Sequence, residues 1–295
     1  MKRENIRIAI NDTDTISVER FCSEPAGIPV LMIHGSIENG KIFYSGSGKG
    51  LAPFLAAEGY DVYVPDLRGK GKSEPRVSRS SKHGQYEAIT EDMPAVLARI
   101  RLLRGDQPVH LVAHSWGGVL LLAWYARFHQ SHSVRSMIFF GTKRKIYIRT
   151  LKRFFMIDLM WNLAGRTAAA IAGYLPARAI GFGSDNEPRK FFLDTNRWVY
   201  TDSWTDTTDG LDYHRQLRQL ALPPMLSLTG VKDDVLGHPR DVQKLLAETN
   251  AADTRYVEVG KKHGFRHDYG HIDLLTHPDA PGDHFQLVLE WMRQH

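Results

Sequence analysis

Apolar and polar positions alternate twice near the start of the chain, in Ile6-Arg7-Ile8-Ala9-Ile10 and in Ile16-Ser17-Val18-Glu19-Arg20-Phe21. The polar turn Asn11-Asp12-Thr13-Asp14 separates them. A period of two predicts paired, half-buried strands. Pro29-Val30-Leu31-Met32-Ile33 then forms an unbroken apolar run, as expected of a strand covered on both faces. Similar patterns predict strands over 60–64, 108–113, 134–140, 224–229 and 254–259. Helical patterning predicts helices over 51–58, 85–103, 119–128, 240–248 and 284–292. Strands alternating with helices predict a mainly parallel sheet with helices on both faces, and the first hairpin as its antiparallel edge. Ligands bind such sheets in the loops after the carboxyl ends of the strands.

One segment breaks the alternation. From Thr142 to about Arg215 the pattern is helical, aromatic and irregular. It opens on a basic run, Lys143-Arg144-Lys145 through Arg149, Lys152 and Arg153, and continues through the largely apolar 154–182. The expected division is therefore a core built from 1–141 and 216–295, with 142–215 inserted as a helical cap.

Composition narrows the function classes. The 295 residues carry 42% hydrophobic and 24% charged side chains, an ordinary globular balance. A net charge of +5 is only mildly basic, and no basic-aromatic array accompanies it, so nucleic acid is not an expected partner. The single cysteine, Cys22, excludes an internal disulfide framework and a CxxC metal or redox pair. With no apolar signal segment behind Met1-Lys2-Arg3, a cytoplasmic location is the expectation. No apolar run of roughly 18 residues is present to span a membrane.

The chemistry centres on Ala113-His114-Ser115-Trp116-Gly117-Gly118, where a predicted strand turns abruptly into a predicted helix. Small residues at Ala113 and Gly117 allow strand and helix to approach, which exposes Ser115 on a strained turn. This pattern resembles the nucleophile elbow of the α/β-hydrolase superfamily, with alanine in place of the first glycine of G-x-S-x-G. The resemblance extends along nearly the whole chain. His34-Gly35-Ser36-Ile37 is similar to the family's oxyanion loop, and Asp66-Leu67-Arg68-Gly69-Lys70-Gly71-Lys72-Ser73 matches its scaffold signature D-x-R-G-x-G-x-S. Gly270-His271-Ile272-Asp273, with Pro278-Asp279-Ala280-Pro281, resembles the histidine region of acid lipases, and the stretch from Leu51 to Tyr60 is also similar to those lipases.

The resemblance implies a triad in the order Ser115, acid, His271. The turn Gly230-Val231-Lys232-Asp233-Asp234 offers two acids. Counting forward from Gly230 selects Asp233, and counting back from Pro239-Arg240-Asp241 selects Asp234; Asp233 is preferred, because the turn leaving the strand fixes geometry more directly. The implied oxyanion donors are the Ser36 and Trp116 N–H groups, with Ile37 as an alternative to Ser36. Phe154, Phe155 and Trp161 are candidates to line an acyl pocket, and the basic run to meet an anionic head group.

The expected function is that of a serine hydrolase cleaving carboxylic esters, carboxylesterase-like or lipase-like. The expected partner is a small ester or acyl substrate, with transient contact with an anionic or lipid surface left open. Thioesterase, lysophospholipase, acyltransferase and peptidase activities use the same triad, and a non-catalytic ligand-binding module is the alternative from another class. No cofactor and no metal are implied. His263, His267 and His271 recur every four residues, but Gly264 and Gly270 argue for a loop, where that spacing does not converge on a metal. His34 and His114 are expected to be hydrogen-bonding scaffold residues. Neither Gly46-Ser47-Gly48-Lys49-Gly50 nor Gly71-Lys72-Ser73 has the spacing of a phosphate loop. The sequence does not set acyl length or oligomeric state.

Overall fold

A computed structural model describes residues 1–249 and 251–295. Among these residues ten strands form, in chain order β1 Lys2–Ala9, β2 Thr15–Cys22, β3 Pro29–Ile33, β4 Asp61–Asp66, β5 Val109–His114, β6 Val134–Phe140, β7 Tyr174–Leu175, β8 Glu187–Pro188, β9 Met225–Gly230 and β10 Thr254–Val259. Eight of them make one sheet in the order β1-β2-β4-β3-β5-β6-β9-β10. From β4 to β10 neighbours run parallel, while β2 is antiparallel to both β1 and β4. The alternating hairpin is therefore the antiparallel edge, as its pattern predicts.

The pleat sorts the apolar runs onto two cores. Leu31 and Ile33, Leu111 and Ala113, and Met137 and Phe139 face the helices Met93–Arg104 and Trp116–Phe128. Their neighbours Val30 and Met32, Val112, and Ile138 and Phe140 face the helices Leu51–Ala57 and His284–Gln294. Continuous apolar runs follow because both faces are covered.

Between β6 and β9 the chain leaves the sheet. Leu151–Arg153 leads into a widened π-helical stretch, Phe154–Ala164, and then an α-helix, Gly165–Ala172. The short hairpin of β7 and β8 and the helix Arg189–Tyr200 follow. A small core of Ala169, Leu175, Ala177 and Phe192 holds this insertion together, and Trp161, Phe182 and Ile37 pack against it. Among the described residues, no helix is long and apolar enough to cross a membrane.

Candidate active site

Two non-glycine residues have positive φ among the described residues: Ser115 (φ 51°) and Ile37 (φ 53°). Such backbone stores of the order of 1–3 kcal/mol of strain and persists only where its surroundings enforce it. At Ser115 the enforcement comes from both sides of the turn. The Ser115 N–H donates to the Phe140 carbonyl at the end of β6 (2.8 Å), and the Thr142 hydroxyl donates to the Ser115 carbonyl (2.9 Å). One residue into the helix, a Cβ on Gly117 would lie 2.4 Å from the Ile33 carbonyl oxygen and 2.6 Å from that of His34. The helix thus lies directly against the end of β3, and only glycine fits there.

Ile37 is strained by the insertion. Its N–H donates to Glu187 Oε2 (2.7 Å), and its carbonyl accepts from the Asp185 N–H (3.1 Å). The Ser36 hydroxyl donates to the same Glu187 oxygen (2.8 Å). Glu187 is fully buried, and its other oxygen lies 2.6 Å from Lys70 Nζ, itself only 3% exposed. The middle of the D-x-R-G-x-G-x-S signature is thereby tied to the loop after β3 through a residue of β8. The Ile37 N–H is committed to Glu187. Among the described residues, the N–H groups of Ser36 and Trp116 have no protein acceptor, and both residues border one cavity with Ser115.

His271 also borders that cavity, with Nδ1 2.5 Å from Asp233 Oδ2. Asp233 is buried, which by itself would raise its pKa; the charge and hydrogen bond of His271, with lesser help from the Gly237 backbone and Lys143, carry it below the usual value. Asp234 points to solvent and pairs with exposed Lys152 at 2.8 Å. Of the two acids the sequence left open, the structure brings only Asp233 to the histidine. Among the described residues the Ser115 hydroxyl makes no hydrogen bond, so Ser115 and His271 share a cavity without being joined. Such contacts often tighten only when substrate is bound.

A charged pair unsuspected in the sequence lies beneath these groups. His114, fully buried, has Nδ1 2.8 Å from Glu38 Oε2 and Nε2 3.1 Å from the His271 carbonyl. Both ring nitrogens face acceptors, an arrangement that only the doubly protonated ring satisfies. Burial opposes that charge, but the Glu38 carboxylate and the His271 carbonyl outweigh it and raise the His114 pKa. Burial likewise opposes ionisation of Glu38. His114 and His271, with the Gly35 N–H donating at 2.9 Å, nonetheless bring its pKa down to about 2. His34 differs: Nδ1 faces the Gly35 carbonyl (2.8 Å) and Nε2 accepts from the Leu67 N–H (3.1 Å). One donor and one acceptor fit a neutral ring, and burial lowers its pKa.

The cavity has a volume of about 540 Å³. Ile37, Ile42, Ile146, Met156, Phe182 and Leu236 give it a largely apolar wall, and Trp161 lies among them. Phe154 and Phe155 do not: they are 51% and 54% exposed and pack on each other with ring centroids 5.5 Å apart. Both begin the widened stretch 154–164, in which Ile157 is the buried residue. The basic run also divides. Arg144 is held by Glu248 at 2.9 Å and Lys145 pairs with Asp202, whereas Lys143 borders the cavity. Sequence reasoning missed Glu38, Phe182 and Glu187. The one available signal was Glu38, the lone acidic residue of the loop from His34 to Tyr44.

The evenly spaced histidines do not converge. His263 pairs with Glu258, His267 with Asp279 and His271 with Asp233. His267, His277 and Asp279 do bring donor atoms within 4.8 Å of one another, but none of the three borders the cavity that holds Ser115.

An elbow serine at the end of a central parallel strand, and a histidine–aspartate pair from loops after later strands, define the hydrolase class built on such sheets. The family model for the alpha/beta hydrolase fold matches residues 28–278, and the chain belongs to that family. It is 29% identical over 118 residues to a probable lysophospholipase L2 of Haemophilus influenzae, covering 39% of this chain and 36% of that protein. Over 113 residues it is 32% identical to epoxide hydrolase 2 of Siraitia grosvenorii, covering 38% of this chain and 32% of the relative. The matched segments thus span about a third of these relatives' length. A thermophilic esterase from Thermogutta terrifontis superposes with a TM-score of 0.62 at 17% identity, covering 99% of this chain and 98% of that one. At that identity the likeness concerns the fold.

Proposed function

We propose that the protein is a serine hydrolase that cleaves carboxylic esters through an acyl-enzyme. The observation that carries this reading is the convergence on one cavity of a strained elbow serine, a histidine 2.5 Å from a buried aspartate, and two unoccupied backbone N–H groups. Ser115 Oγ attacks the ester carbonyl carbon while His271 Nε2 takes its proton. Asp233 holds the imidazole with Nδ1–H towards it and stabilises the imidazolium. The tetrahedral oxyanion accepts from the N–H groups of Ser36 and Trp116, each such donor contributing about 3 kcal/mol. Collapse expels the alcohol, which leaves with the proton from His271. Water then gives a proton to His271 and attacks the acyl carbon, and Ser115 recovers its proton as the acid departs.

In this reading the insertion caps the cavity, and its apolar wall receives the acyl chain, with Trp161 and Phe182 as contacts. Phe154 and Phe155, being exposed and outside the wall, are not assigned to it. A serine nucleophile sets this chain apart from the aspartate-nucleophile members of the superfamily.

The test is hydrolysis of p-nitrophenyl esters from acetate to palmitate by wild type and Ser115→Ala, with fluorophosphonate labelling alongside. Turnover and labelling that both vanish in a folded Ser115→Ala are the expected result. Labelling without ester turnover moves the assignment to a thioester, acyl-transfer or peptide substrate. Wild type that neither labels nor turns over supports the non-catalytic binding module instead.

A further inference from the structure

Lys143 is the group in the cavity that the proposed chemistry leaves unused. It is only 7% exposed and borders the same cavity as Ser115 and His271. Among the described residues, no carboxylate oxygen lies within 4.0 Å of its ammonium and it makes no hydrogen bond. Its backbone follows directly on Thr142, whose hydroxyl donates to the Ser115 carbonyl. Nearby, Glu38 pairs with His114 and Asp233 with His271, while buried Asp241 makes no salt bridge among the described residues and accepts from the Tyr147 N–H at 3.0 Å. Most of the Lys143 side chain is withdrawn from water and its ammonium has no partner among the described residues, which is unfavourable for a cation; burial lowers its pKa against the pull of Asp233 and Asp241. A buried cation is normally paired. Here the open side is the substrate cavity.

We propose that Lys143 is a receptor for an anionic group on the substrate, and that the preferred substrate is an ester carrying a carboxylate at the far end of a short apolar chain. This deepens the serine-hydrolase reading and rests on it. One lysine supplies one positive charge, with no arginine fork beside it, because Arg144 is spent on Glu248 and on backbone carbonyls. A carboxylate balances that charge, whereas a phosphate dianion would leave a buried negative charge unmatched. The apolar wall supplies the rest of the recognition. The competing reading is that Lys143 serves only to keep Asp233 ionised, which would affect every substrate alike.

The experiment compares kcat/KM for monomethyl adipate, methyl 6-methylheptanoate and methyl 5-phosphonopentanoate, followed by proton release, for wild type and Lys143→Met. The second ester replaces the carboxylate by an uncharged isopropyl group of similar shape. The ratio of the first to the second is expected to fall by about tenfold or more in Lys143→Met, the loss of one charge-assisted hydrogen bond. A ratio that does not change overturns the proposal, and faster turnover of the phosphonate overturns the carboxylate assignment. Should Lys143→Met fail to fold, Lys143→Gln is read in the same way. Binding of monomethyl adipate by calorimetry is measured in Ser115→Ala, with and without Lys143→Met, and needs no catalysis. A tenfold weaker binding in the double variant supports the anion site even if wild type hydrolyses nothing, in which case the serine-hydrolase reading is the one that fails. Equal binding refutes the site.

Discussion

Replacing Glu38 by glutamine tests the buried charge pair beneath the cavity. In the folded protein the Glu38 carboxyl titrates at about 2 instead of 4.5. At about 1.4 kcal/mol per pH unit, its charge therefore contributes about 3 kcal/mol to folding. The folded pKa is the lower one, so this stability is fully present above 4.5 and is lost as the pH falls from 4.5 towards 2. Glu38→Gln removes the charge while keeping the shape, and leaves the His114 ring without a counter-ion. Urea denaturation at pH 7 is expected to show a loss of about 3 kcal/mol. The gap to wild type should fall below half that near pH 3, where the carboxyl is already protonated in the unfolded chain but still largely ionised in the folded one. His114 carries the opposite sign: its raised pKa adds stability below the unfolded value near 6.5, which is lost as the pH climbs through the folded value. In the variant that contribution should shrink as well. A gap under about 1 kcal/mol at pH 7, or one that stays constant down to pH 3, would refute the assignment of an ionic pair.

Two further substitutions bear on the proposed triad and on the elbow. Asp233→Asn should lower kcat by roughly four orders of magnitude, because an amide cannot hold the required histidine tautomer. Asp234→Asn removes only an exposed pair with Lys152, worth about 1 kcal/mol or less, so equal losses in both variants would contradict the geometry. Gly117→Ala drives a methyl group against two backbone carbonyls that have no room to move, and should cost more than about 2 kcal/mol of stability. A thermal denaturation midpoint equal to that of wild type would show that the elbow is looser than described.

The sheet was legible because its signals are local. Alternation at 6–21 and unbroken apolar runs at 29–33 and 137–140 report directly how many faces of a strand are covered. The elbow was legible for the same reason, since small residues two positions either side of Ser115 state how closely helix and strand approach. Asp233 and Asp234 are neighbours in one turn, and composition alone does not decide which points inwards. Glu38 and Glu187 acquire meaning only from partners far along the chain. Glu38 meets His114 across 76 positions, and Glu187 meets Ile37 across 150. Phe154 and Phe155 lie in an apolar stretch whose composition does not state which side chains turn towards the cavity.

The link from Lys70 through Glu187 to Ile37 bears on how this scaffold can be re-engineered. Caps of such proteins invite treatment as interchangeable modules, to be trimmed or grafted to change specificity. Here the insertion carries a residue that holds the loop after β3. Excising it would strip Lys70 of its buried carboxylate and release the Ile37 N–H and carbonyl together. The isoleucine would then relax from φ 53° to an ordinary negative angle and turn the neighbouring Ser36 amide with it. A chimera that imports a foreign cap therefore has to bring its own acidic residue at the Glu187 position, or the loop after β3 loses its shape before any substrate arrives.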